Sequence, residues 1–161
     1  MMIRKATYDD VPALMEVFRK ARGIMRESGN LHQWNDAYPS EEVITADIRA
    51  GHCFVLCEGG EVLATMAFIP GPDPTYAEIY DGSWMSDAPY HVIRRIAVAE
   101  PGHNAAKILL DWGFKRTESI RIDTHKDNII MRHILSKYGF THCGRILLAN
   151  GDPREAYQKN L

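Results

Sequence analysis

The pattern that most constrains the fold is a strand, a helix and a second strand in the second half of the chain. His91–Val98 is an apolar run of strand length, Ala105–Phe114 repeats apolar residues at helical spacing, and Ser119–Thr124 alternates like a strand. Two strands joined through one helix are expected to lie parallel, with a right-handed crossover. The sequence therefore predicts a βαβ unit, followed by a helix that Asp127 caps and Gly139 ends.

The rest of the chain predicts two more helices and further strands. A first helix ends near Gly23, and a second runs from Ser40 to Gly51. Residues 70–89 are rich in proline and aromatic side chains, which predicts a long excursion with a short strand at residues 77–80. We expect strands at residues 2–6, 52–57, 62–69, 141–148 and 154–159, in an α/β fold with helices on both faces of a mixed sheet.

Composition narrows the class of protein. The chain has 161 residues, 45% of them hydrophobic, which indicates a single globular domain over residues 1–161. A formal net charge of -2 gives no bulk attraction to nucleic acid or to a membrane surface, so neither is an expected partner. No apolar run reaches the roughly 20 residues of a membrane span, and the amino terminus lacks a signal-peptide pattern. The three cysteines form no CxxC pair, which favours reduced thiols in a cytoplasmic protein, and the seven histidines show no metal-ligand spacing.

Three segments carry a resemblance to a known family. The helix start Asn128-Ile129-Ile130-Met131 leads to Lys137-Tyr138-Gly139-Phe140, the amino terminus contains Ile3-Arg4-Lys5-Ala6-Thr7, and the carboxyl terminus contains Arg154-Glu155-Ala156-Tyr157-Gln158-Lys159. With the preceding βαβ pattern, these segments resemble the GNAT family of N-acetyltransferases over nearly the whole chain. The resemblance implies a mixed, mostly antiparallel twisted sheet of roughly six to seven strands, with helices on both faces and a central βαβ unit that binds acyl-CoA.

The resemblance also implies a reaction. An acetyl group passes from acetyl-CoA, the co-substrate, to a primary amine of a small molecule or peptide, which attacks directly in a ternary complex. The family's main-chain contacts to the pantetheine arm fall on Ile96, Ala97 and Val98. Pro101 and Asn104 replace a polar residue and a glycine of the family's pyrophosphate turn. The residues implied for cofactor binding are Ile96, Ala97, Val98, Gly102, His103, Asn104, Ala105, Ala106, Lys107 and Asn128.

Catalysis of acetyl transfer requires a base for the amine, a polarised thioester carbonyl and a proton for the departing thiolate. Glu78 and His91 are the candidate bases, and burial of Glu78 among aromatic residues would raise its pKa. The family's usual acid position holds Leu135, and Tyr138 follows one helical turn later as the candidate acid. Ser136 or water could replace it, or the thiolate could leave unassisted. Glu78 and His91 are also consistent with ordinary strand residues.

Four aromatic residues are candidates for the wall of an acceptor pocket, namely Trp34, Tyr38, Tyr80 and Trp84. Trp34 and Tyr38 fall in the stretch that corresponds to the acceptor side of the family, and aromatic faces suit a small, partly apolar or cationic amine. The same residues are consistent with plain core aromatics. Peptide, amino acid, polyamine and drug-like acceptors all remain open, and pairing of strand edges would permit a homodimer.

The same sequence is also consistent with the hypothesis of a non-catalytic protein. Asn104 and Leu135 depart from the family pattern at the pyrophosphate turn and at the acid position. A CoA-binding, ligand-sensing or protein-interaction domain that retains the fold could carry these changes. The intact helix start at Asn128 and an aromatic pocket with a carboxylate favour the enzyme.

Overall fold

The computed structural model describes residues 1–161 and contains seven strands and four α-helices. The strands are β1 (Met2–Lys5), β2 (Cys53–Glu58), β3 (Glu61–Pro70), β4 (His91–Val98), β5 (Ser119–Thr124), β6 (Thr141–Leu147) and β7 (Pro153–Asn160). The helices are α1 (Val11–Glu27), α2 (Glu41–Arg49), α3 (Ala105–Phe114) and α4 (Ile129–Tyr138), and two short 3-10 turns cover Tyr8–Asp10 and Pro74–Tyr76. None of the helices is both long and apolar enough to cross a membrane.

All seven strands form one sheet in the order β1-β2-β3-β4-β5-β7-β6. Every neighbouring pair is antiparallel except β4 and β5, which are parallel and joined through α3. The strand, helix and strand predicted from the sequence therefore form the expected βαβ unit. The mostly antiparallel sheet confirms the fold class that the resemblance implied.

Apolar residues fill both faces of the sheet. On one face, α3 and α4 bury Leu109, Leu110 and Leu135 against the strands in a core of 15 residues. On the other face, α1 and α2 contribute Phe18 and Ile44 to a core of 11 residues. Burial of each large apolar side chain stabilises the fold by roughly 1.5–3 kcal/mol, and these two cores hold helices on both faces, as predicted.

Short polar residues and glycine set the ends of the helices. The Ser40 hydroxyl accepts a hydrogen bond of 3.2 Å from the Val43 N–H and so caps α2. The side chain of Asn128, one residue after the predicted cap Asp127, accepts a hydrogen bond of 3.1 Å from the Met131 N–H at the start of α4. The prediction of Asp127 as the cap was therefore wrong by one residue.

The first helix is longer than predicted, because α1 continues past Gly23 to Glu27. A glycine inside a helix costs only about 1 kcal/mol relative to alanine, and the buried side chains of α1 outweigh this cost. The left-handed residue after the helix end is Gly29, whose φ is +91°, and the Asn30 N–H donates to the Met25 carbonyl. A left-handed glycine just after the last turn is a common helix end.

The excursion between β3 and β4 differs from its prediction. It forms a 3-10 turn at Pro74–Tyr76 and no strand at residues 77–80. Only Tyr80 pairs with the sheet, through two main-chain hydrogen bonds of 2.8 Å to Arg145. The chain then passes so close to β6 that a Cβ on Gly82 would lie 1.9 Å from the carbonyl oxygen of Cys143. Close packing at one point thus replaces the strand pairing that the sequence predicted.

Candidate active site

A cleft opens between the two parallel strands. β4 and β5 pair only near the start of each strand, His91 with Ile120 and Val92 with Arg121. Farther along, β4 contains a bulge opposite β3, where Arg95 adopts a left-handed conformation with φ of +50°. A bulge bends its strand and increases the local twist. The two strands therefore diverge after Val92, and we call the space between them the β4–β5 cleft.

The edge of β4 along this cleft has unpaired main-chain groups. The Ala99 N–H donates to the Leu63 carbonyl of the preceding strand at 2.9 Å, so Ala99 faces β3. Because main-chain groups alternate along a strand, Ala97 also faces β3, whereas Ile96 and Val98 face the cleft. An open strand edge binds an extended chain by main-chain hydrogen bonds. Two of the three predicted pantetheine contacts thus lie on the open edge.

The turn before α3 leaves the helix start uncapped. Gly102 and Asn104 both have positive φ, +97° and +55°, and the Asn104 side chain makes no capping hydrogen bond. Asparagine tolerates the left-handed conformation, which explains how it replaces the family's glycine. The first N–H groups of α3, from Ala105 to Lys107, make no hydrogen bond within the protein. Free N–H groups and the positive end of the helix dipole favour an anion such as a pyrophosphate.

The side chains around this turn carry mixed charge. The Lys107 ammonium pairs with Asp111 at 2.8 Å, both side chains being exposed. A cavity of about 230 Å³ lies beside the turn. Its wall contains three of the predicted cofactor residues, Val98, His103 and Ala105, and three glutamates, Glu58, Glu61 and Glu100. Leu63 and Ala99 complete the wall. The attraction for an anion at this position therefore comes from main-chain N–H groups more than from side-chain cations.

A larger cavity of about 400 Å³ lies in the β4–β5 cleft. Its wall comes from β4, β5, the start of α4, the loop after α1 and the hairpin between β6 and β7. Residues from five parts of the chain thus meet here. The residues predicted for the site that line this cavity are Trp34, Tyr38, Ile96 and Asn128. We call this space the cleft cavity.

The cleft cavity contains a largely buried carboxylate, Asp123, whose side chain is 12% exposed. Its Oδ1 accepts a hydrogen bond of 2.5 Å from the Tyr76 hydroxyl and lies 4.0 Å from the Arg94 guanidinium, whereas Oδ2 has no hydrogen-bond partner. Burial raises the pKa of Asp123, and the Tyr76 hydrogen bond with the charges of Arg94 and Arg154 offsets only part of this rise. Asp123 can therefore take up a proton more readily than an exposed aspartate.

Three arginines line the cleft cavity and differ in their partners. Arg95 makes two hydrogen bonds to Asp47, of 2.7 and 2.8 Å, and Arg94 makes one of 2.7 Å to Asp73. The third, Arg154, is 7% exposed and donates only to main-chain carbonyls. Two of the three positive charges are thus neutralised within the protein.

Gln33 connects several segments of the cavity wall by hydrogen bonds. Its Oε1 accepts hydrogen bonds from the side chains of Asn30 and Asn128, both 3.0 Å, and from the Thr124 hydroxyl at 3.3 Å. These contacts join the loop after α1 to the start of α4 and the end of β5. Asn128 therefore both caps its helix and fixes the cavity wall.

The candidate acid and one candidate base lie outside the cleft cavity. Glu78 is exposed and accepts a hydrogen bond of 2.7 Å from the Tyr80 hydroxyl, so its expected burial was wrong. The Tyr138 hydroxyl donates to Asp111 at 2.6 Å, and its ring stacks on Phe114. Burial and the contact with Asp111 raise the pKa of Tyr138. The structure brings neither side chain to the cavity.

The second candidate base and two of the predicted acceptor aromatics are also elsewhere. His91 stacks on Phe68 with ring centroids 4.4 Å apart, and burial lowers its pKa. Tyr80 is 45% exposed. The Trp84 indole donates to the Tyr76 carbonyl at 2.9 Å. Of the four aromatics predicted for the acceptor pocket, only those in the loop after α1 line the cavity.

Sequence reasoning missed Asp123, Arg154 and Gln33. One signal could have found Asp123, because ligands of parallel strands gather at the carboxyl ends of those strands and Asp123 is the last residue but one of β5. Arg154 and Gln33 come from segments that no local pattern connects to β5. Their place in the site follows only from the three-dimensional fold.

Comparisons with known proteins place this fold in a family. No protein-family model and no curated protein matches the chain. Among solved structures, a GNAT-family acetyltransferase from Streptococcus agalactiae is 32% identical, with a TM-score of 0.90 over 99% of this chain and 95% of that one. A GNAT-family acetyltransferase from Listeria monocytogenes is 21% identical, with a TM-score of 0.73 over 99% of this chain and 94% of that one.

A third similar structure holds a ligand. A putative acetyltransferase from Salmonella typhimurium, solved with its cofactor acetyl-CoA, is 18% identical, with a TM-score of 0.65 over 100% of this chain and 94% of that one. At this identity the similarity concerns the fold. The streptococcal protein matches in both sequence and fold over nearly its whole length, and the chain therefore belongs to the GNAT family of acetyltransferases.

Proposed function

We propose that the chain transfers an acetyl group from acetyl-CoA to a primary amine of a small molecule or peptide, by direct attack in a ternary complex. Family membership makes it an acyl-CoA-dependent N-acetyltransferase, with acetyl-CoA as the co-substrate. The observation that carries the proposal is the β4–β5 cleft, which combines an open strand edge with a cavity that contains a buried carboxylate. Residues 1–161 act as one domain, and the three free, buried cysteines fit the reducing cytoplasm.

Two main-chain surfaces would hold the co-substrate. The uncapped start of α3, from Ala105 to Lys107, offers free N–H groups to the pyrophosphate, and no atom lies within 4 Å of the position that a Cβ on Gly102 would take. The open edge of β4 at Ile96 and Val98 offers hydrogen bonds to the pantetheine amides. Because both surfaces are main-chain groups, the replacement of the family's glycine by Asn104 leaves them in place.

Asp123 is the group that takes the proton of the amine. A primary amine is mostly protonated at neutral pH and must lose a proton before its nitrogen attacks. Oδ2 is free to accept that proton, while the Tyr76 hydroxyl holds Oδ1. Asp123 takes this first proton before the attack and later releases it to solvent. As the new C–N bond forms and the C–S bond breaks, the nitrogen loses its second proton to water. This assignment replaces Glu78 and His91 in the role of base.

The thiolate leaves without a side-chain acid. Tyr138 is bonded to Asp111, Ser136 is exposed on α4, and Leu135 lies in the core. A thiol has a pKa of about 8.5, so its thiolate leaves far more readily than an amine and takes a proton from water afterwards.

Aromatic and polar residues shape the acceptor side. The rings of Trp34 and Tyr38 lie 6.1 Å apart in an edge-to-face arrangement, and the Tyr38 hydroxyl accepts a hydrogen bond of 3.2 Å from Arg95. Aromatic faces attract a cation. An ammonium group that approaches Asp123 is therefore favoured on this side of the cavity before it loses its proton.

Calorimetric titration and a turnover assay test the proposal. We expect acetyl-CoA and CoA to bind with micromolar affinity and ATP not to bind, because ATP lacks the pantetheine arm. Release of CoA in the presence of a panel of primary amines then measures acetyl transfer. Absence of acetyl-CoA binding up to millimolar concentration, or binding without transfer to any amine, would contradict the proposed function.

A further inference from the structure

We propose that the acceptor carries a carboxylate next to its amino group, as a free amino acid does, and that Arg154 binds this carboxylate. This inference rests on the proposed function and names the class of acceptor. It is carried by one observation: Arg154 is the arginine of the cleft cavity that has no acidic partner.

The partners of Arg154 are main-chain carbonyls. Its guanidinium donates to the carbonyl oxygens of Pro153 at 2.9 Å and Gln33 at 3.4 Å, and no carboxylate oxygen lies within 4.0 Å of it. Arg94 and Arg95, by contrast, each have a carboxylate partner. A guanidinium has five N–H donors in a planar fork that matches a carboxylate. A buried cation without a counter-ion is costly, so this position in the cavity favours an anionic group of a ligand.

The cavity also contains the complementary negative charge. Although burial raises the pKa of Asp123, the positive charge of Arg154 acts on this carboxyl in the opposite direction, so the two groups interact within the cavity. They lie on the paired strands β5 and β7, where Asp123 is opposite Ala156. Within one cavity, the position of Asp123 thus suits an ammonium group and the position of Arg154 suits a carboxylate. A zwitterion satisfies both, with its amine at Asp123 and its carboxylate at Arg154.

The size of the cavity agrees with a small acceptor. Its volume of about 400 Å³ is at the lower end of the 300–1,000 Å³ typical of small-molecule sites. The hairpin between β6 and β7 contributes Leu148, Asn150 and Asp152 to the wall. The exposed Asp152 is screened by solvent, so it opposes a carboxylate much less than a buried acid would. A peptide acceptor lacks a carboxylate next to its terminal amine and leaves Arg154 without a partner.

Matched acceptor pairs test the inference on the unmodified protein. Each of the common L-amino acids is compared with its carboxamide, and kcat/KM is measured from CoA release. We expect the best amino acids to exceed their amides at least about tenfold, mainly through KM, because hydrogen bonds to a charged partner are the stronger ones. Equal rates for acids and amides, or a preference for amides or for peptides, would overturn the inference while leaving acetyl transfer intact.

Failure of the proposed function gives a different result. If no amine is acetylated, calorimetry with CoA present measures binding of the same amino acids and amides directly. Binding of amino acids but not of amides supports the carboxylate site even without turnover. Absence of amino-acid binding overturns the inference together with the proposed function.

Variants of Arg154 complete the test. In Arg154→Gln the ratio of kcat/KM for an amino acid to kcat/KM for its carboxamide is expected to fall towards one. In Arg154→Lys part of the preference for the amino acid should remain. The affinity for acetyl-CoA should stay unchanged in both variants. Arg116→Gln is the matched control, because Arg116 is exposed and donates to the Trp112 carbonyl away from the cavity. If Arg154→Gln does not fold, the Arg154→Lys variant and the matched acceptor pairs test whether Arg154 binds the carboxylate. An unchanged ratio in a folded Arg154→Gln protein would overturn the inference.

Discussion

The substitution Asp123→Asn probes the proposed base with little change of shape. Asparagine is nearly isosteric, and its Oδ1 can still accept the 2.5 Å hydrogen bond from the Tyr76 hydroxyl. Arg94 keeps its 2.7 Å hydrogen bond to Asp73. The variant therefore removes one negative charge and one proton acceptor, Oδ2, from the cavity while the surrounding contacts remain.

The expected loss follows from the chemistry of the amine. A positioned general base contributes roughly 100-fold to 10,000-fold to the rate. Without it, water must remove the proton, so we expect kcat/KM at pH 7 to fall about 100-fold or more. In the proposed complex acetyl-CoA is held by main-chain groups and not by the side chain of Asp123, so its affinity should not change.

The pH profile separates a base from a purely structural residue. Burial raises the pKa of Asp123, and the side chain acts as a base only when it is ionised. As pH falls through this raised pKa, the carboxylate becomes protonated and kcat/KM of the wild type should fall. This acidic limb lies at higher pH than an ordinary aspartate would give, and it should be absent in Asp123→Asn.

Asp111 provides the matched control. It also accepts a hydrogen bond from a tyrosine hydroxyl, 2.6 Å from Tyr138, but it lies outside the cleft cavity. Asp111→Asn should retain wild-type kinetics and pH dependence. Asp123 is not the base if a folded Asp123→Asn protein keeps kcat/KM within about threefold of wild type across the pH range, or if Asp111→Asn loses as much activity.

Three further substitutions test the cofactor turn, the packing of the excursion and the first helix. Asn104→Asp adds a negative charge at the start of α3 and should weaken acetyl-CoA binding roughly fivefold in calorimetry, and an unchanged affinity would contradict pyrophosphate binding there. Gly82→Ala places a Cβ 1.9 Å from the carbonyl oxygen of Cys143 and should lower the free energy of unfolding in urea by roughly 1–3 kcal/mol; wild-type stability would show that this approach is not tight. The hydrogen bond from Arg4 lowers the pKa of Asp10 from 3.8 to about 2, so wild-type stability should fall as pH drops through this window. Asp10→Asn loses the ion pair with Arg4, so it should start about 1 kcal/mol lower and lack that dependence in thermal melts. Identical pH dependence in the two proteins would exclude Arg4 and Asp10 as its source.

Apolar spacing and end signals in the sequence correctly predicted those helices and strands whose buried side is evident from their own residues. The apolar spacing of α3 places Ala105 and Leu109 in the core, and alternation in β5 buries Ile120 and Ile122. Gly139 ends α4 in the left-handed conformation, as its position predicts. In each case a side chain needs only a generic apolar partner or a backbone angle, so the fold class could be predicted without knowledge of distant contacts.

The excursion was harder to predict because its conformation depends on the sheet beneath it. Its aromatic residues suggested a covered strand with Glu78 inside. Instead, Tyr76 inserts its ring and hydroxyl below the surface, and Tyr80 makes a single bridge. Glu78 and Tyr80 both remain in solvent. Alternation shows which residues share a side of a segment, but only the packing partner determines which side is buried.

Asp123, the carboxylate of the cleft cavity, was not predicted for the same physical reason. Alternation in β5 puts Arg121 and Asp123 opposite Ile120 and Ile122, a pattern that ordinarily predicts a face in contact with water. In this fold the excursion covers that face, and the Tyr76 hydroxyl supplies the hydrogen bond that a buried carboxylate needs. A charged face on a central strand of a sheet is costly to cover unless its groups have partners. Where such a face is covered and one carboxylate oxygen still has no partner, that oxygen can accept a hydrogen bond from a ligand, and in this cleft we propose that the ligand is the amine.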